Sequence, residues 1–323
     1  MERVDPVSVA APHAVTTSRS EVVAFLIMVA FLVVAPFFVY PMFLMQALCF
    51  ALFACAFNLL IGYGGLLSFG HALYFGWASY LSAHSAKVWG FPPELAILTG
   101  TLTACILGVV AGSLAIRRQG IYFAMITLAL AQMMFFFALQ MKFTGGEDGI
   151  QAVPRGKILG LIDLSNQANM YITVVVIFLA GFLLIYRIIH SPFGEVLKAI
   201  RENEPRAISL GYKTDRYKLL AFVLSATLAG LAGSTKAIVL QIASLTDVDW
   251  PMSGEVVLIA LVGGLGTVFG PVAGAFIVIA MQNYLAQVGQ WVTVIQGVIF
   301  VICVLAFRRG VIGEIAHLLR IKL

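Results

Sequence analysis

The chain has 323 residues, of which 61% are hydrophobic and 11% are charged, and its mean hydropathy is +0.99. Soluble domains carry about 25% charged residues, so this composition excludes an ordinary soluble protein and predicts an all-α polytopic membrane protein. The net charge of +5 gives no reason to expect nucleic acid as a partner, because basic loops are what membrane insertion alone requires.

Ten apolar runs follow one another along the chain and are predicted to form the membrane helices. A helix rises ~1.5 Å per residue and the hydrocarbon core is ~30 Å thick, so a full crossing takes about 20 residues. The runs occupy residues 23–40, 43–61, 66–86, 94–116, 121–141, 170–187, 218–240, 254–269, 271–287 and 291–307. The eighth and ninth are too short for a full crossing and are predicted to be short, tilted or re-entrant helices. We therefore expect about ten transmembrane helices, with eight or nine as alternatives.

The predicted domain organisation is simple. A polar tail of residues 1–21 precedes a single transmembrane domain, 22–310, and a second tail occupies 311–323. The first tail carries both signs of charge, and no small-residue cleavage site follows it. We therefore expect the first apolar run to remain as a span and not to serve as a signal peptide.

The basic residues predict the orientation of the chain. With ten spans and a cytoplasmic N-terminus, 15 of the 20 Lys and Arg residues fall on the inner side. Four fall on the outer side, namely Lys87, Lys142, Arg155 and Lys157. The remaining one, Lys236, lies near the outer end of a span, where its long side chain can reach the interface. This bias predicts that both termini are cytoplasmic and that the connection 190–217 is cytoplasmic as well.

That connection is the most highly charged part of the chain and is predicted to fold into two short amphipathic helices. Ser191 is a capping residue and Pro192 suits the first helical position. An apolar stripe at helical spacing follows, formed by Phe193, Val196, Leu197 and Ile200. Pro205 can start a second helix, and Gly211 is suited to a left-handed stop. The pair is predicted to offer a surface to a partner, the alternative being that the stripe lies among lipid headgroups.

Two glycine-rich breaks interrupt the apolar runs, one at 62–71 and one at 263–271. In a membrane, non-helical backbone persists only where protein or water satisfies it, and transporters use such breaks to aim helix ends at a substrate. The alternative is that the glycines allow close helix packing. The shared pattern Gly-Gly-Leu followed by Phe-Gly in both breaks suggests two related half-units.

The breaks and nearby polar groups supply the candidates for a translocation path. These are Asn58, Gly64, Gly65, Ser68, His71, Glu255, Gly263, Gly264, Gly266 and Thr267. For His71 the alternative is a hydrogen-bonded structural histidine. Glu255 follows Pro251 closely, which favours a carboxylate in the first turn of a helix over a functional group at mid-bilayer.

Four stretches together resemble one family. They are SPFGEVLKAIRENEPRAISLGY at 191–212, continued by KLLAFVLSATLAGLAG, then NLLIGYGGLLSFGHALYFG at 58–76, FTGGEDGI at 143–150 and VGGLGTVFGPVAGA at 262–275. The chain is similar through these motifs to permease subunits of bacterial ABC importers of the branched-chain amino-acid type, the LivH/LivM class and LivM in particular. The tail 1–21 carries no such resemblance.

The resemblance implies a set of partners and a division of labour. A second homologous permease, two cytoplasmic ABC ATPases and an extracytoplasmic solute-binding protein are expected, with the assembly in the lipid of the bacterial inner membrane. The ATPase-coupling residues implied are Phe193, Gly194, Leu197, Ala199, Ile200, Arg201, Glu202, Asn203, Ala207, Leu210 and Gly211. The binding-protein contacts implied are Thr144, Gly145, Gly146, Glu147, Asp148 and Gly149.

The sequence itself has no G-x-x-x-x-G-K-[ST] phosphate loop. We therefore expect that the chain is not an enzyme and that the partner subunits use ATP. No cofactor or metal is expected on this chain, and its four cysteines show no metal-ligand spacing.

The predicted function is thus ATP-driven import of branched-chain or similar amino acids by alternating access. A related permease for urea or short-chain amides is the nearest alternative. An ion-coupled secondary carrier is a second alternative, which the scarcity of ionisable groups in the spans disfavours. An intramembrane enzyme ranks last, because the spans show no nucleophile–base pair or acid–base cluster.

Overall fold

The computed structural model describes residues 19–158, 160–285, 294–295, 297–298, 300–301, 305 and 310–318. Its main elements are twelve α-helices: α1 Arg19–Val34, α2 Pro41–Asn58, α3 His71–Lys87, α4 Pro93–Ala115, α5 Ile121–Gln140, α6 Gln167–Ile189, α7 Pro192–Glu202, α8 Glu204–Ser209, α9 Thr214–Leu240, α10 Trp250–Gly263, α11 Gly270–Leu285 and α12 Gly310–Leu318. The described part of the chain is therefore predominantly helical, as the composition predicts.

Six helical segments in the described part of the chain are long and apolar enough to cross a membrane: α1 with the 3-10 turn after it (Ser20–Phe37), α2 with the π-helical turn after it (Pro41–Tyr63), α4, α5, α6 and α9. Helices α10 and α11 are shorter apolar helices, as predicted for that pair. The predicted run 66–86 is corrected, because α3 begins only at His71 and residues 64–70 are not helical. Most of the tenth predicted run, 291–307, and of the first tail, 1–21, lies outside the described residues, and the number ten is not confirmed. Residues 311–318 of the second tail are described and belong to α12.

Helix α2 forms the centre of the packing. It is apolar all round, and every residue from Ala47 to Asn58 is buried, which is typical of a helix enclosed on all sides. Helices α6, α9, α10 and α11 pack against it, and α3 contacts it through the ring of Phe75, which lies against Phe50 and Phe53. The helices α1, α4, α5 and α6 each leave an apolar face exposed, with Ile27, Ile106, Ile121 and Val176 at least half accessible. Such faces suit hydrocarbon or another membrane subunit.

Helices α3, α4 and α9 pack through small residues. A Cβ atom on Gly233 would lie 2.0 Å from the carbonyl oxygen of Phe75. One on Gly230 would lie 2.1 Å from the Cβ of Ala104. Small residues let membrane helices approach closely where no hydrophobic effect drives them together. Glycines therefore allow close packing in these three helices, outside the two breaks for which the sequence predicts that role.

Two small antiparallel pairs of strands, which the sequence does not predict, order the connection between α5 and α6. Strand β1 (Ile150–Gln151) pairs with β4 (Ile242–Ala243), and β2 (Lys157–Ile158) pairs with β3 (Ile162–Asp163). The first pair ties this connection to the segment that follows α9. In the turn after β3, the backbone N–H of Ser165 donates to Asp163 and lowers the pKa of that carboxyl.

The side chain of Lys236 does not lie where the sequence predicts. Its Nζ lies 2.6 Å from Oδ1 of Asp247, and the two side chains are only 8% and 3% exposed. Asp247 ends a 3-10 turn, Leu245–Asp247, and its carboxylate also accepts the backbone N–H of Ser244. The prediction that Lys236 reaches the interface is wrong, because the lysine forms a buried ion pair within the chain.

Candidate functional site

The helix pair α7–α8 is built by local signals. Ser191 Oγ accepts the backbone N–H of Gly194 at 3.3 Å and so caps α7, and Asn203 Oδ1 accepts that of Arg206 at 3.1 Å and caps α8. Gly211 has φ +90°, and the N–H of the next residue returns to the carbonyl of Ala207 at 3.2 Å. These contacts satisfy the orphan groups of the helix ends and confirm the predicted helices.

The apolar stripe of α7 packs on the chain's own spans. Leu197 is fully buried and Ile200 is 3% exposed. The ring of Phe193 stacks on Tyr217 of α9, with 5.7 Å between the centroids. A Cβ on Gly194 would lie 2.2 Å from the carbonyl oxygen of Ile189. The alternative that this stripe lies among lipid headgroups is therefore wrong for Leu197 and Ile200.

The opposite face of the pair is open. A shallow pocket of about 310 Å³ lies there, lined by Ala199, Glu202, Asn203, Arg206, Ala207, Leu210 and Tyr212. An ion pair between Glu204 and Lys218 fastens α8 to α9 beneath it. Of the predicted coupling residues, Gly194, Leu197, Ile200 and Ala207 are buried, whereas Ala199, Arg201, Glu202, Asn203, Leu210 and Gly211 remain accessible.

The first glycine break is a defined structure held by side chains from other helices. Helix α2 ends in a single π-helical turn, Leu59–Tyr63, before the chain leaves helical geometry. Phe69 N–H donates to Thr127 Oγ1 on α5 at 3.2 Å, and Ala72 N–H donates to Ser253 Oγ on α10 at 2.9 Å. Ser68, which is fully buried, accepts the N–H of Gly70. Protein groups therefore satisfy this non-helical backbone, as a membrane requires.

The second break separates α10 from α11 and relies on glycine conformations. Gly264 has φ +121° and Gly266 has φ +77°, which side chains rarely allow. A Cβ on Gly263 would lie 2.0 Å from the carbonyl oxygen of Gly270. Thr267 Oγ1 donates to the carbonyl of Gly264 at 2.8 Å and accepts the N–H of Gly270 at 3.1 Å. Both predicted uses of glycine, a break in the helix and close packing, thus occur here.

The two breaks meet at Asn58. Its Nδ2 donates to the carbonyl of Thr267 at 2.9 Å, and its Oδ1 accepts the N–H of Gly266 at 3.0 Å. Asn58 is 3% exposed, and its carboxamide bridges residues more than 200 positions apart. Gly62 lies against the same contact, because a Cβ there would be 2.3 Å from Asn58 Oδ1 and 2.9 Å from the nitrogen of Gly266.

Arg201 of α7 reaches this meeting point from the helix pair. Its Nη1 donates to the carbonyl of Gly62, and its aliphatic stem lies beside Gly65, where a Cβ would be 2.9 Å from Arg201 Cγ. We refer to Asn58, Gly62, Arg201, Gly266 and Thr267 as the glycine junction. A cleft of about 480 Å³ opens beside it, lined by Glu21, Gly62, Tyr63, Ile189, His190, Lys198, Arg201, Glu202, Gly266 and Val268.

His71 is a fully buried residue at the start of α3. Its Nε2 lies 2.8 Å from Ser225 Oγ on α9, and that hydroxyl donates to the carbonyl of Ala56 at 2.5 Å. Since the serine proton is committed to Ala56, His71 Nε2 carries the proton and donates to Ser225. These contacts fit the structural alternative for His71, because they link α2, α3 and α9.

Glu255 requires a correction. It lies in the second turn of α10 and not in the first, and it is half-buried. Gln282 Nε2 of α11 donates to Glu255 Oε1 at 2.8 Å. Its partner is therefore a side chain of the neighbouring helix and not the helix N-terminus.

The segment 144–149 forms a tight turn between α5 and β1. Thr144 is buried and donates to the carbonyls of Ala138 and Met141, at 2.5 and 2.6 Å. A Cβ on Gly149 would lie 2.3 Å from the carbonyl oxygen of Ala243. The carboxylates of Glu147 and Asp148 are exposed on its surface.

The structure thus brings together some predicted site residues and separates others. Asn58, Gly266, Thr267 and Arg201 converge on one junction, whereas His71, Glu255 and 144–149 take part in other contacts. Sequence reasoning missed the Lys236–Asp247 pair and the roles of Thr127, Ser225 and Ser253. A lysine within an apolar run, followed 11 residues later by an aspartate, was the available signal for the first. Within the described residues, no group of three or more His, Cys, Asp or Glu could hold a metal ion.

A family model described as the branched-chain amino acid transport system / permease component matches residues 39–304 of this chain. The chain is 24% identical to the high-affinity branched-chain amino acid transport system permease protein LivM of Escherichia coli K12, over 245 residues. That match covers 68% of this chain and 57% of the relative, so the chain spans less than two thirds of that protein's length.

Permeases named for other solutes are similar as well. The ribose import permease protein RbsC of Bacillus subtilis is 28% identical, over 69% of this chain and 70% of the relative. The autoinducer 2 import system permease protein LsrC of Salmonella typhimurium is 28% identical, over 57% of this chain and 54% of the relative. No solved structure matches significantly.

Proposed function

Because the chain belongs to the permease family of branched-chain amino acid transport systems, we propose that it is the membrane-spanning subunit of an ABC importer that carries branched-chain amino acids into the cytoplasm. A second homologous permease, two ATPases and an extracytoplasmic solute-binding protein complete the proposed assembly in the bacterial inner membrane. The mechanism is alternating access without covalent chemistry.

One observation carries this proposal: a short helix pair with an open polar face is anchored by its other face to the breaks in the spans. Leu197 and Ile200 fasten α7 to the membrane domain, while Glu202, Asn203 and Leu210 remain accessible around the shallow pocket. A partner that bound and moved on that face would therefore displace the backbone at the glycine junction. An ATPase is the partner that the family relationship supports.

The proposed substrate, branched-chain amino acids, is supported by the family description and by the LivM relatives, since nothing in the described residues distinguishes one small solute from another. The likeness to a ribose permease makes a sugar the second candidate substrate. The solute-binding protein is proposed to dock near the exposed carboxylates of Glu147 and Asp148 on the surface opposite the helix pair.

Transport measurements in proteoliposomes test the function. The complex co-purified with this chain is reconstituted, and uptake of labelled leucine is measured with and without ATP on the side of the helix pair, with ribose and urea as competitors. Leucine uptake that requires ATP and survives an ionophore is the expected result. Uptake that is independent of ATP and collapses with the ionophore would establish a secondary carrier, and competition by ribose or urea alone would change the substrate.

A pull-down tests the ATPase surface separately. Leu210→Glu places a charge in the open face of α8, at a leucine that is 69% exposed. We expect the ATPases to be lost from the purified complex. Leu161→Glu is the matched control, because Leu161 is 86% exposed in the connection between α5 and α6. Equal ATPase recovery from both variants would contradict the assignment of this face.

A further inference from the structure

We propose that Arg201 and Asn58 are the positioning residues that transmit movement of α7 to the spans, acting in series through the backbone of Gly62. This inference rests on the proposed function and concerns how this chain's own residues carry it out. It assigns a role to the glycine junction, where the helix pair and both breaks come into contact.

Arg201 acts as the cap of the central helix. The carbonyl of Gly62 belongs to the last turn of the α2 segment, where backbone acceptors have no partner within the helix and the dipole favours a cation. Arg201 lies in the last turn of α7 and donates to this carbonyl. Arg201 directly follows the buried Ile200, so a tilt of the helix pair that moves this end of α7 displaces the arginine relative to Gly62.

Asn58 joins the two breaks through the hydrogen bonds of its side chain. Its carboxamide, on a residue only 3% exposed, uses its donor on Thr267 and its acceptor on Gly266. Aspartate lacks the donor and leucine lacks both groups, so neither side chain can form both hydrogen bonds. Separating the second break from the first therefore breaks two hydrogen bonds at once, which favours two discrete arrangements over gradual deformation.

Gly62 couples Arg201 to Asn58. Its Cα faces Asn58 Oδ1 and the nitrogen of Gly266 so closely that no Cβ fits, while its carbonyl holds Arg201. A displacement of Gly62 cannot be absorbed by a flexible side chain there and must move Asn58 or the second break. The cleft of about 480 Å³ beside the junction gives the arginine room to move.

The test measures transport and ATP hydrolysis in the same proteoliposomes, for wild type, Arg201→Gln, Asn58→Leu and the double variant. Arg216→Gln is the control, since Arg216 is an exposed arginine in the first turn of α9, outside the junction. We expect ATPase co-purification near the wild-type level for Asn58→Leu and Arg216→Gln, and uptake is expressed per ATP hydrolysed in every variant. Leucine taken up per ATP should fall roughly tenfold in both single variants, because each removes hydrogen bonds that join α7 to the breaks.

The double variant separates transmission from mere destabilisation. If the two residues act in series, the double variant loses no more coupling than either single variant. An unchanged ratio of uptake to hydrolysis, a parallel loss of both activities, or multiplicative effects in the double variant would overturn the proposal. Absence of ATP-dependent uptake in the wild type would instead contradict the proposed function, so the two failures are distinguishable.

Discussion

The buried ion pair between Lys236 and Asp247 makes a sharp prediction about stability. The substitution Lys236→Met keeps the length of the side chain and removes its charge, which leaves the aspartate 3% exposed without its cation. Removing one partner of a buried pair costs about 3–5 kcal/mol. The backbone N–H of Ser244 still donates to the carboxylate at 3.3 Å, so we expect a loss near the lower end, about 3 kcal/mol.

Buried thiols provide the assay. Cys49 and Cys55 are each 2% exposed, so a thiol-reactive fluorophore labels them only when α2 comes apart. In a background with Cys105 and Cys303 replaced by alanine, the labelling midpoint is followed on heating in detergent at one fixed rate. We expect the midpoint of Lys236→Met to fall clearly below that of the parent protein.

Two companion variants decide whether the pair is the cause. Lys198→Met removes the cation of the more exposed pair with Glu195, 2.9 Å long, and such pairs are worth about 0–1 kcal/mol. The double variant Lys236→Met/Asp247→Leu removes both buried charges and should recover most of the lost stability. Equal midpoints for Lys236→Met and Lys198→Met, or a double variant as unstable as the single one, would refute the reasoning.

Three other expectations concern packing and loops. Gly233→Ala places a Cβ against a carbonyl oxygen of α3, and we expect little monodisperse protein, whereas Gly254→Ala, with nothing within 4 Å, should extract normally. Thr144→Val removes a hydroxyl that donates to two carbonyls, so trypsin should cleave after Lys142 faster; an unchanged rate would contradict this. Ser225→Ala deletes the hydroxyl that links α3 to α2. It should lower the free energy of unfolding by about 1–3 kcal/mol and so lower the thiol-labelling midpoint; an unchanged midpoint would contradict this.

The sequence by itself determined those features whose causes lie within a few residues. The apolar runs predict helices, and described helices coincide with nine of the ten runs and with the charged connection. Six of the helices in the described part of the chain are long and apolar enough to cross a membrane. Ser191, Pro192 and Gly211 predicted the bounds of the helix pair correctly, because caps and turns are decided by the residues next to them. The glycines and polar groups of the breaks likewise marked where helices end.

Only the tertiary structure decided which of these features meet. Asn58 bridges to Gly266 and Thr267 across more than 200 positions, and Arg201 reaches Gly62 across 139. Any exposed carbonyl or N–H at a helix break offers the same hydrogen-bonding groups, so the pattern of residues cannot say which break a carboxamide or guanidinium will find. That choice is made by the packing of α2 against α10 and α11 and of α7 against the turn Leu59–Tyr63, which brings one break beside the other and leaves room at Gly62 for no side chain.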